Sequence, residues 1–177
     1  MGRVATSREA IRIAIFCVLY APRAWGQQAK PDLPRDDDHA VVLEIGVAAA
    51  HTLGERSGHW GATVAAEVTP LENWLELEFG VTAIQVDGGT ELSSDFLFKK
   101  PWRLSSRAEF MAGVGPELVH ASGADPGTFL GGEAVLDFMY WPRKNVGWYV
   151  EPSYDLVSRH GVARELGISA GLLIGWR

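Results

Sequence analysis

The chain holds very little lysine. Lys30, Lys99, Lys100 and Lys144 are all there is in 177 residues, and the formal net charge is −6. A chain with this net negative charge lacks the electrostatic footprint that nucleic acid requires. There is one cysteine, Cys17, which excludes a disulfide framework. No segment reaches the ~18 consecutive apolar residues of a membrane-crossing helix, so a helical membrane protein is excluded as well. Even so, 47% of the residues are hydrophobic, too many for a disordered chain. The length suits a single domain. The apolar residues are dispersed, and the mean hydropathy of +0.01 is what alternation along strands produces.

The first residues depart from this pattern. Arg3, Arg8 and Arg12 precede the apolar run 13–21 and then Ala24-Trp25-Gly26. A basic head, a short apolar run and small residues before a cut are the parts of a secretory signal, expected over 1–26. Cys17 leaves with it, and Phe16 is too bulky for a lipoprotein cleavage site. The segment carries Arg3, Arg8, Arg12 and Arg23 against Glu9, so its removal takes the formal charge from −6 to −9. Residues 27–38 hold two prolines and an acidic cluster without periodicity, a flexible periplasmic lead-in.

From His39 onward the period is two. Val41, Leu43, Ile45, Val47 and Ala49 alternate with Val42, Glu44, Gly46, Ala48 and Ala50. The same alternation returns around Trp60 to Val68, Leu75 to Val81, Leu92 to Phe98, Ala108 to Val114, Leu130 to Tyr140 and Trp148 to Leu156. It closes on Leu166, Ile168, Ala170, Leu172, Ile174 and Trp176, set against Glu165, Gly167, Ser169, Gly171, Leu173 and Gly175. Each stretch has one greasy face and one face of small residues and carboxylates. The count is eight strands, with turns expected at 53–58, 70–73, 87–89, 99–103, 122–127, 141–147 and 158–164. Pro152 sits inside the seventh strand, where proline is tolerated mainly at bulges or edges.

An even number of ~10-residue strands, none left with an open edge, is a solution that lipid permits. The lysines fall outside the expected strands, whereas soluble sheets place lysine in strands to protect edges. The small inward residues suit a narrow lumen. With the first strand running outward, Trp74, Trp102, Trp141, Trp148 and Trp176 all fall at the periplasmic rim and form an interfacial girdle. The expected fold class is an all-β, eight-stranded antiparallel up-and-down transmembrane β-barrel over 39–177. In these features the chain resembles the small outer-membrane barrels of the OmpA and OmpX type. The resemblance implies an outer-membrane location and general secretory export. It implies outer-membrane lipid, lipopolysaccharide and the barrel-assembly machinery as partners, a monomer, and a structural, envelope-stabilising or surface-presenting role.

The candidate chemistry lies in the inward face. Glu44, Glu67, Glu76, Glu78, Glu109, Glu133, Asp137, Glu151 and Asp155 face the lumen, with Arg107 as the expected basic partner. Carboxylates without partners in a poorly polar interior must be hydrated, protonated or cation-bound. The expectation is a filled acidic lumen, with a narrow cation-selective pore as the alternative. His39, His51, His59, His120 and His160 match no metal-site spacing, so neither a metal nor a cofactor is expected. For an enzyme, the best local set is Ser158, His160 and Glu165. Outer-membrane lipid A deacylases use Ser, His and an acid on a similar barrel but place His before Ser; here the order is Ser158-Arg159-His160.

Overall fold

The computed structural model describes residues 39–54, 57–123, 126–159 and 161–176. The expected signal and lead-in lie outside the described residues, as do His160 and Arg177. The strands are β1 (Val41–Thr52), β2 (His59–Leu71), β3 (Leu75–Val86), β4 (Gly89–Arg103), β5 (Ala108–Ala121), β6 (Gly127–Arg143), β7 (Val146–Ser158) and β8 (Val162–Trp176). Every strand pairs antiparallel with its sequence neighbours, and β1 also pairs with β8, which closes the barrel. Ile45 thus lies opposite both Val64 of β2 and Leu172 of β8. Closure leaves no strand with a free edge, so each pairs with a neighbour on both sides.

The outer wall is apolar and exposed. Ile45, Val64, Phe79, Phe98, Leu136, Ile168 and Leu172 all point away from the lumen, with Leu172 60% exposed. A chain folding in water would bury this band, since exposed apolar patches of such extent mark an interaction with a partner or a membrane. The start of β1, the end of β8 and the turns at 72–74, 104–107 and 144–145 share one end, here called proximal; the hairpins β1–β2, β3–β4, β5–β6 and β7–β8 share the distal end.

Four prolines coincide with irregularities in the sheet. Pro116 and Pro152 have no N–H to donate, and the ladders β4–β5 and β6–β7 skip their partners Phe96 and Leu136. Pro70 and Pro142 fall at the register shifts between Val68 and Leu71 and between Tyr140 and Arg143. Two expected turns therefore give way to strand. Residues 99–103 continue β4 through Pro101, which pairs with Met111, and residues 141–143 continue β6. At a barrel rim a proline removes one ladder bond without ending the strand. Lys99 and Lys100 are consequently strand residues, contrary to the expectation that no lysine lies within one.

Candidate functional site

The lumen is built in layers, because inward residues of successive strands meet at similar heights. At the proximal end Val42, Met111, Met139, Trp141, Tyr149 and Leu173 form a buried apolar cluster. His39 stacks on Trp141 with ring centres 4.3 Å apart and engages the Lys144 carbonyl at 2.6 Å. Gly147 and Gly175 leave the room for these two rings. A Cβ at Gly175 would come within 2.2 Å of the His39 ring, and one at Gly147 within 3.0 Å of the Trp141 ring.

Above this cluster sits Lys99, 1% exposed and surrounded by acids. Its ammonium donates to Glu78, to Asp137 at 3.1 Å and to Glu151 at 2.6 Å, and Glu67 lies 3.9 Å away. In the ladder Lys99 is paired between Glu76 on β3 and Gly113 on β5. Gly113 lets the lysine stem cross the lumen: a Cβ there would meet Lys99 Cγ at 2.7 Å and Val135 Cγ2 at 3.0 Å. Gly113→Ala is expected to lower unfolding stability by about 1–3 kcal/mol, the usual penalty of overpacking, as read from urea denaturation of the refolded barrel.

Distal to Lys99 the lumen opens into a cavity of about 80 Å³ lined by Asp95, Glu117, Glu133 and Asp155 among others, and none of its described lining residues is basic. Asp95 is the ladder partner of Glu117, Glu133 that of Asp155, and Asp155 that of Glu165. Like charges directly opposite one another oppose folding. At the mouth, Arg159 pairs with Glu91 and lies 3.9 Å from Glu165, with its guanidinium 5.2 Å from the centre of the Phe129 ring. A mouth cavity of about 410 Å³ shares Ala50, Ile84, Glu91 and Glu165 with the chamber below. A proximal cavity of about 170 Å³ is lined by Glu67, Glu76, Arg103, Glu109 and Trp141 among others.

A closed up-and-down barrel of eight strands, apolar outside and carboxylate-lined inside, restricts the comparison to one architecture. The chain has the fold of the small outer-membrane barrels. It superposes on Neisserial surface protein A (NspA) with a TM-score of 0.61 at 16% identity, covering 77% of this chain and 96% of that one. With the outer-membrane protein OprG from Pseudomonas aeruginosa the TM-score is 0.58 at 7% identity, covering 80% of this chain and 97% of that one. No protein-family model and no curated protein matches the chain.

Within this barrel Glu44, Glu67, Glu76, Glu78, Glu109, Glu133, Asp137, Glu151 and Asp155 all line the lumen or its cavities. Arg107 does not: it is exposed in the turn between β4 and β5, where its amide donates to Ser105 Oγ. The strand runs four residues past the expected stop at Lys99, so Lys99 takes the central position instead. Trp141 also departs from the expected girdle. The register shift beside Pro142 keeps it inward, 5% exposed, while Trp74, Trp102, Trp148 and Trp176 stay on the outer wall at the proximal end. Trp60 is exposed near the distal end. Of the histidines, His51, His59 and His120 lie within strands.

Ser158 is exposed on the outer face, whereas Glu165 points into the distal lumen, so these two side chains are not brought together. Sequence reasoning missed Glu91, Asp95 and Glu117. Alternation was the available signal, since Asp95 lies between outward Ser94 and Phe96, and Glu117 continues the inward series Met111, Gly113, Gly115.

Proposed function

We propose that the chain is a small non-enzymatic outer-membrane barrel that supports the envelope or presents its short distal hairpins at the surface. One observation carries the reading: a continuous exposed apolar wall surrounds a lumen closed by the Lys99 cluster and the apolar cluster around Trp141. Such a wall needs lipid, and a lumen so filled has no through-path for solutes. OprG and NspA share the fold, and OprG is named an outer-membrane protein, which supports the location.

Membrane fractionation of expressing cells is expected to place the chain in the outer membrane, and planar-bilayer recordings to show no steady conductance. Steady cation-selective current that vanishes on replacing Glu76, Glu133 and Glu151 by Gln would make the lumen a pore. Incubation with lipopolysaccharide is expected to leave its acyl chains intact by mass spectrometry. Acyl release abolished by Ser158→Ala would establish a lipid A hydrolase instead.

A further inference from the structure

We propose that the cage around Lys99 is a cation site, in which carboxylate oxygens that accept no hydrogen bond from the lysine hold one calcium-sized divalent ion beside the ammonium. The inference rests on the lumen's geometry and does not depend on the envelope role. Glu44, Glu67, Glu78 and Asp137 come from four different strands, are all buried, and each offers an oxygen within 4.8 Å of the others. Calcium–oxygen distances of ~2.3–2.6 Å put opposed ligands ~5 Å apart, whereas magnesium, at ~2.0–2.1 Å, needs ~4 Å. A spread of at most 4.8 Å admits either ion, and calcium is favoured because it tolerates an irregular oxygen cage where magnesium demands a near-ideal octahedron.

A second observation concerns donors. An ammonium has three hydrogens, and those of Lys99 go to Glu78, Asp137 Oδ2 and Glu151. Glu44 Oε1, Glu67 Oε2 and Asp137 Oδ1 are buried and have no hydrogen-bond partner among the described residues. Five carboxylates, counting Glu151, thus surround one positive charge, and three of their buried oxygens accept no hydrogen bond, Glu67 Oε2 lying 3.9 Å from the ammonium. A divalent ion on those three offsets the excess charge and supplies the missing partners. Access does not require unfolding, because Glu44 lines the distal chamber and Glu67 the proximal cavity.

The test is calcium titration of the full chain refolded in detergent, by calorimetry near neutral pH in moderate salt, with heat-modifiable gel migration confirming the fold of each variant. One calcium per barrel is expected, with magnesium about tenfold weaker or more. Glu44→Gln and Glu67→Gln should each weaken calcium about tenfold or more, since each removes a charged ligand. Glu117→Gln, in the distal chamber, should leave it unchanged. Lys99→Met should strengthen binding, because a neighbouring positive charge is gone. Should that variant not fold, the wild type and the two glutamine variants still decide. The proposal is overturned if the folded wild type takes up no calcium at millimolar concentration. It is equally overturned if Glu44→Gln and Glu67→Gln bind like wild type, or if Glu117→Gln abolishes binding.

Discussion

Lys99→Met is expected to destabilise the folded barrel by at least about 3–5 kcal/mol, the cost of stranding buried charge when its partner is removed. The physical reason is the imbalance around the ammonium. Two like charges 4 Å apart repel by about 4 kcal/mol at an effective dielectric near 20, and Lys99 is the basic group that Glu78, Asp137 and Glu151 share. Methionine has similar length and no charge, so cavity formation contributes little. Neutralising the partners should recover part of the loss: Lys99→Met combined with Glu78→Gln and Asp137→Asn is expected to be more stable than Lys99→Met alone. Urea unfolding in lipid vesicles, followed by tryptophan fluorescence, gives the comparison. Arg107→Ala serves as the control, because an exposed turn residue should shift stability by no more than about 0.5 kcal/mol. Equal losses from Lys99→Met and Arg107→Ala would mean that the lumen is not organised around this lysine.

Leu172→Arg is expected to cost about 2–4 kcal/mol in a bilayer, the range for a basic side chain at the midplane of a lipid-facing strand. Leu172 is exposed on the outer wall, four residues from Trp176 at the proximal rim, while its neighbour Gly171 faces the lumen against the backbone of Ile45. Val162→Arg makes the same chemical change at an exposed position near the distal end of β8. It should cost only about 0–1 kcal/mol, because an interfacial arginine reaches water. The depth dependence is what identifies lipid as the solvent of this wall. Equal small effects at both positions, or a chain that folds in water without detergent, would remove the membrane reading.

The sequence by itself determined the number of strands, the face each presents and the closure into a barrel. That information is local: with a period of two, a side chain's face follows from counting along its own strand, as Leu172 and Gly171 or Glu76 and Leu77 do. Tertiary structure decided which inward residues meet and where strands end at the rims. Lys99 looked like a turn residue beside Pro101, and only the ladder with Met111 and Phe110 shows that β4 continues and carries the lysine inward. Trp141 looked like a girdle residue until the register shift at Pro142 and the space left by Gly147 and Gly175 placed it under His39. Glu78, Asp137 and Glu151 lie on β3, β6 and β7, and no spacing along the chain reports that their oxygens converge on one ammonium. That convergence depends on the stagger of strands around a closed barrel, a property of all eight ladders together and of no single stretch of sequence.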